Sequence, residues 1–282
     1  ETMRQLIYLY FTAPRAAEEA FTSEMQRSIA MLKNMELNPM ITLSDSLNKV
    51  MYNNHPLTVR MKAEDYDKVD YAKAMEMYKD RFADPNNFTF TFVGNIDPET
   101  FKPLVEKYLA SLKKNKRKED WKNIGLAVND DNYVTHYRKE MQDPKTSVYM
   151  IYNGDMEYNL YNDIYMEVLS DVLDIVYTKS IREEQGGTYG VGVMGQINNR
   201  PEDNFMFYIV FDTNDEVYAT LMDIAKAGLK DVAENGPRQE DLSKVLENKL
   251  KKRVEELQEN RFWINTIVSA ERDNIDFVTE YE

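Results

Sequence analysis

Residues Ile181–Gln196 read IREEQGGTYGVGVMGQ and hold five of the chain's ten glycines: Gly186, Gly187, Gly190, Gly192 and Gly195. Glycine inside a strand brings no side chain to pack and loses the most backbone freedom on folding, so such a cluster needs a physical reason. Close approach of another backbone is one. The cluster follows a long apolar-periodic helix that carries Arg182, and Tyr189 stands seven positions beyond that arginine. An arginine, a tyrosine and a bare strand edge point to peptide binding. The competing structural reading has Arg182 complementing the helix C-terminus and Tyr189 packing on the sheet.

Composition narrows the field. At 282 residues, 43% hydrophobic and 30% charged, the chain is long enough for two well-packed domains. Its 49 acidic and 35 basic residues give a net charge of −14, which opposes the phosphate neutralisation that nucleic-acid binding requires. The sequence has no cysteine, so disulfides and thiolate metal sites are excluded. No run approaches the roughly 20 apolar residues of a membrane span, and no signal-type segment opens the chain. Glu1 at the start implies a processed product or an excised piece of a longer protein.

Working outward from the glycine-rich stretch, Tyr158–Arg182 reads as a long helix with Ile164, Val168, Val172, Ile175 and Val176 at the helical period. Phe205–Phe211 is a continuous apolar run suited to a central strand, and Ser147–Tyr152 and Tyr133–Met141 read as further strands. Helices are predicted over Asp215–Glu234 and from Arg238 to about Leu257. The earlier residues are helical at 2–13, Ala17–Met35, Ser44–Tyr52 and Asp65–Arg81. At Phe88–Val93 the period changes to two, with Phe88, Phe90 and Phe92 on one side and Thr89 and Thr91 on the other. Asp97-Pro98-Glu99 then opens a helix to about Leu112. The run KKNKRK at 113–118 is a solvated linker, placing a boundary between domains 1–120 and 121–282.

Pro14-Arg15 and Pro237-Arg238 occupy equivalent places, each after an apolar helix and before a long amphipathic one, a spacing of roughly 220 residues. The fold class is therefore α+β, two incomplete copies of a repeated domain in which an antiparallel sheet packs against helices. The copies are cut out of phase. Residues 1–80 should show helices with too few strands to cover them; a complete five-stranded sheet within 1–120 would contradict this.

At Phe88–Leu112 and Ile181–Val193 the sequence resembles the insulinase/pitrilysin-type zinc metallopeptidases, the inverzincins. The first stretch is similar to the family's strand, Val-Gly-x-x-Asp-Pro-Glu and helix that close each repeat. His55-Pro56 followed by Arg60 resembles the family's short His-Pro segment. The second stretch resembles the arginine-to-tyrosine segment of the C-terminal half. The resemblance implies four similar α+β domains forming two bowl-shaped halves around a chamber, with zinc in the N-terminal half. It also implies that Arg182 and Tyr189, with Gly187 and Gly190 beside them, contact the backbone of a peptide or protein substrate. Periplasmic location follows from bacterial relatives of the family.

The departure is equally specific. Zinc hydrolysis in such enzymes uses His-x-x-Glu-His, two imidazoles one helical turn apart with a glutamate as base. The two histidines here, His55 and His136, do not begin that motif. The expectation is that this chain has no cofactor or catalytic residue of its own, is inactive alone, and partners an N-terminal catalytic half of the same protein. A catalytically inactive scaffold subunit of the same fold and a free-standing peptide-binding module are the alternatives. Gly190-Val191-Gly192 lacks the following helix and lysine of a phosphate loop, and Asp130-Asp131-Asn132 lacks calcium-loop spacing.

Overall fold

Apolar spacing and side-chain caps account for the helices of the first 81 residues: α1 (Thr2–Thr12), α2 (Glu18–Glu36), α3 (Pro39–Met51) and α4 (Tyr71–Arg81). Asn38 starts α3 by accepting from the Met40 N–H, and Asp70 starts α4 by accepting from the Lys73 N–H. The computed structural model describes residues 1–114 and 119–276, and divides into two units, Glu1–Leu126 and Ala127–Glu282. Most of the KKNKRK run lies outside the described residues.

In the first unit the apolar face of α1 turns toward α5 (Pro98–Tyr108). Phe11 sits among Phe82, Phe88 and Phe90 at ring separations of 5.1, 4.8 and 6.0 Å, and Phe92 meets Phe101 at 5.2 Å. Offset and edge-on contacts of this kind add to the area that the rings bury. The Arg60 guanidinium grips Asp45 of α3 in a fork, at 3.0 and 2.8 Å. The helix expected over Asp65–Arg81 is broken at Asp70, with a 3₁₀ turn over Ala63–Lys68 before α4.

The strand expected at Phe88–Val93 is a correction. Its alternation is real, but no ladder involves it among the described residues; the phenylalanines satisfy the period by packing on helices, while a strand also needs a partner for its backbone. Tyr133–Met141 is corrected too: Val134 is 87% exposed and Tyr133 and Tyr137 are also exposed, so no face of the segment is buried and nothing holds it in a sheet. The expected shortage of strands over residues 1–80 is what the structure has.

The sheet belongs to the second unit. Strand β1 (Thr146–Gly154) and the glycine-bearing β2 (Val191–Asn198) flank the apolar β3 (Asn204–Thr213), antiparallel on both sides. The register aligns Val148, Phe211 and Val191, then Met150, Ile209 and Val193. These rows point to one face and are covered by α6 (Leu160–Tyr177) and α7 (Tyr218–Asn235). Leu173, Tyr177, Ile181, Ile209 and Ala225 are fully buried there. Each large apolar side chain so buried contributes about 1.5–3 kcal/mol, whereas an exposed ion pair such as Lys244–Glu240 is screened by water and adds little, so the packed face and not the charged surface holds the unit together. The Tyr177 hydroxyl, raised well above its ordinary pKa by burial, donates to the Ala225 carbonyl at 2.9 Å and links the two helices.

Helices α8 (Gln239–Glu256) and α9 (Asn260–Asp273) follow, the latter missed by the sequence reading because its apolar residues are scattered and partly exposed. The end of α9 is fastened by Asp273, whose carboxylate is buried. It accepts from Arg272 at 2.7 Å, from Asn199 in the β2–β3 turn at 2.9 Å and from the Tyr158 hydroxyl at 3.3 Å. The Arg272 bond, aided by that from Asn199, holds the carboxyl at about 2 against the opposing effect of burial. A carboxyl depressed in the folded state stabilises above its unfolded value near 4, and that stability is lost as the pH falls through about 2. Asp273→Asn is expected to cost on the order of 2 kcal/mol at pH 7 in urea unfolding, with the gap to the unsubstituted chain closing between about pH 4 and pH 2. A gap that does not change with pH would show that the carboxylate charge is not what fastens α9.

Candidate functional site

The buried Ile181 decides where Arg182 goes. Past Tyr177 the α-helix widens into a π-helical turn over Thr178–Glu183, seen in the Glu184 N–H donating to the Lys179 carbonyl at 3.0 Å. Turns of this type accommodate an extra residue and recur at functional sites. With Ile181 driven into the core, the neighbouring Arg182 is turned out to solvent. Its carbonyl accepts from the Gly186 N–H at 3.1 Å, and Gly186 takes φ +60°, the left-handed conformation that ends the turn.

The loop between this turn and β2 is tied at two points. The Thr213 hydroxyl at the end of β3 donates to the Gly187 carbonyl at 2.6 Å, and the Thr188 hydroxyl accepts from the Gly190 N–H at 3.2 Å. Tyr189, held between these ties, is 98% exposed. That overturns the reading in which its ring packs on the sheet. Thr188 and Thr213 were not singled out from sequence; Thr188 lies within the loop and could have been suspected, whereas Thr213 is brought to the loop by sheet register alone.

The glycines sort into two groups. A Cβ at Gly195 would collide with Met166 Sδ and lie 2.9 Å from Ser170 Oγ, both on α6, and one at Gly187 would lie 2.9 Å from Leu221 Cδ1 on α7. Those two positions serve the packing of the helices onto the sheet. Gly190 has nothing within 4 Å, and Gly192 meets only the Val210 carbonyl at 3.9 Å. Both are exposed, Gly192 on a strand that pairs on one side only among the described residues and Gly190 just before it. Gly192, Met194 and Gln196 point away from α6, opposite Val210, Tyr208 and Met206 of β3. An open backbone beside an exposed phenol is what this end of the sheet offers a ligand.

A shallow cleft of about 430 Å³ lies beside the π-helical turn, lined among others by Asp174, Lys179, Glu183, Arg238 and Asp241. Its charges are mutually paired in part, with Arg238 on the buried Asp241 at 2.6 Å, and neither Arg182 nor Tyr189 lines it. His55 caps a 3₁₀ turn, Nδ1 accepting from the Leu57 N–H at 3.3 Å and Nε2 lying 3.2 Å from the Ile124 carbonyl. His136 is exposed in an irregular segment. Among the described residues no three His, Asp or Glu side chains group so as to hold a metal ion, and the donors present do not fit a zinc site. Nor, among the described residues, is any helix long and apolar enough to cross a membrane.

Residues 68–249 match the family model described as the peptidase M16 inactive domain. The chain belongs to the peptidase M16 family. It is 25% identical over 98% of its length to a zinc protease PQQL-like protein of Arabidopsis thaliana, of which it spans 30%. Among solved structures it superposes on the periplasmic protease PqqL from Escherichia coli with a TM-score of 0.80 at 20% identity, covering 95% of this chain and 29% of PqqL. It also superposes on the first half of PqqL, with a TM-score of 0.72 at 18% identity over 98% of this chain and 61% of that one. The chain thus spans under a third of the full-length relatives.

The two classes of glycine are separable by measurement. Gly195→Ala is expected to lower stability by about 1–3 kcal/mol, because Met166 and Ser170 must move, whereas Gly192→Ala is expected to stay within about 0.5 kcal/mol of the starting chain. Equal losses in thermal unfolding would contradict the distinction.

Proposed function

We propose that this chain is the non-catalytic portion of a zinc metalloendopeptidase, helping to close a peptide-binding chamber whose metal is held by an N-terminal half of the same protein. The observation that carries this is Tyr189, 98% exposed at the entrance to β2, whose outer edge has no ladder partner among the described residues and whose face is open at Gly192. A bare edge can pair with an extended peptide through main-chain hydrogen bonds, whatever the peptide's side chains. Arg182 supplies a forked cation for a carbonyl or carboxylate of that peptide. The Tyr189 hydroxyl makes no hydrogen bond among the described residues and is available to donate to the oxyanion that develops as an amide is attacked.

Gly187 enters this reading only indirectly: by admitting Leu221 and accepting from Thr213 it sets the height of the loop that presents Tyr189. The proposed partners are the N-terminal catalytic half and a peptide or protein substrate. Periplasmic location of the parent protein belongs to the same reading, on the likeness to the E. coli protease described as periplasmic.

In the parent enzyme Tyr189→Phe is expected to lower kcat by about a hundredfold while KM changes by less than about twofold, because a donor to developing charge acts mainly in the transition state. An unchanged kcat would remove Tyr189 from that role. This chain on its own, supplied with zinc, is expected to leave a peptide panel intact. Chelator-sensitive cleavage by the isolated chain would overturn the assignment as a whole.

A further inference from the structure

The loop that carries Tyr189 is reached from a strand end 26 positions away, where the Thr213 hydroxyl donates to the Gly187 carbonyl at 2.6 Å. Thr213 closes β3 opposite Thr146, the first residue of β1. Both its neighbours are fastened. Before it, the Asp212 carboxylate accepts from Lys145 at 2.6 Å and from the Ser147 hydroxyl. After it, Asn214 Oδ1 accepts from the Glu216 N–H at 2.9 Å and the Val217 N–H at 3.2 Å, in the turn that leads into α7. Thr213 itself is buried, so its hydroxyl is presented from a strand end that cannot drift.

The same corner supplies a second contact. Leu221, in the first turn of α7 and fully buried, lies 2.9 Å from where a Cβ at Gly187 would stand. Gly187 is therefore seated from two directions, by a hydrogen bond to its carbonyl and by an apolar wall against its α-carbon, and both come from Thr213–Leu221. The tie at Thr188 is of another kind. Its hydroxyl bonds the N–H and the carbonyl of Gly190 two positions on, which shapes the loop locally but fastens it to nothing outside. Of these bonds only that of Thr213 joins the loop to the sheet.

We infer that Thr213 is a positioning residue for the Tyr189 phenol: through the Gly187 carbonyl it sets the bearing of the loop over the end of the sheet, and with it the point from which the hydroxyl meets a substrate. The inference rests on the role proposed above for Tyr189. The Tyr189 ring has no packing of its own to direct it, so its placement comes through the backbone on either side. A small shift is enough, since misplacing a reacting group by about 1 Å can cost about a hundredfold in rate.

Thr213→Val keeps the size and the β-branch suited to a strand end and removes only the donor; Thr213→Ser keeps the donor and removes the methyl. In the parent enzyme Thr213→Val is expected to lower kcat at least about tenfold with KM changed less than about twofold, and Thr213→Ser to stay within about twofold on both. On top of Tyr189→Phe, Thr213→Val is expected to add less than about twofold, because the two changes remove the same interaction. In the isotopically labelled chain the heteronuclear NOE of the Tyr189 amide is expected to fall with valine and not with serine, while the α6 amides keep their shifts, which separates release of the loop from loss of the fold. Thr213→Ala repeats the removal of the donor without valine's second branch. An unchanged NOE in both donor-less variants, a serine variant as slow as the valine one, or full multiplication of the two losses in the double variant would overturn the positioning role. If Tyr189→Phe leaves kcat unchanged, the role of Tyr189 fails and this inference with it; if Tyr189→Phe slows the enzyme and Thr213→Val does not, the positioning role fails alone.

Discussion

Helix α6 lies so close to β2 that the position where they meet has no room for a side chain. A Cβ at Gly195 would run into Met166 and Ser170, and from this approach the rest of the second unit follows. It brings Leu173 and Tyr177 onto the inner rows of β3, where Ile209 and Phe211 are shielded from water, and it carries the helix on until Ile181 enters the same core. Protein interiors are packed densely enough that one extra carbon at such a contact forces neighbours out of place. The helix cannot slide outward without exposing the apolar rows beneath it.

The position of the candidate site is a consequence of that packing. Because Ile181 is taken inward, the widened π-helical turn presents Arg182 outward, and Gly186 reverses the chain directly after it. Thr213, at the end of the central strand, then holds the loop through the Gly187 carbonyl, so Tyr189 stands free in solvent on a loop that is anchored on both sides. The backbone on either side of Tyr189 is tied while its ring makes no packing contact with the sheet.

The two units differ in what they leave open. Phe88–Val93 in the first keeps the alternation of a strand with no ladder among the described residues, while the second has its sheet but leaves Leu246, Leu250 and Val254 of α8 exposed.

Local chemistry was legible directly. The apolar spacing of α2, α6 and α7, the Asp97-Pro98 start of α5, the central placing of Phe205–Phe211 and the family itself could all be read from residue order, because each depends on neighbours a few positions apart or on a motif kept whole. Pairing was not. Phe88–Val93 and Tyr133–Met141 look like strands by period, but a strand exists only where another supplies its hydrogen bonds, and no residue within either segment reports that. The same limit governed the glycines: five stood in one stretch, and sequence could not say that Gly187 and Gly195 answer to Leu221, Met166 and Ser170 while Gly190 and Gly192 face open space. Only the tertiary structure decides that, since the atoms that would meet a Cβ arrive from helices distant along the chain.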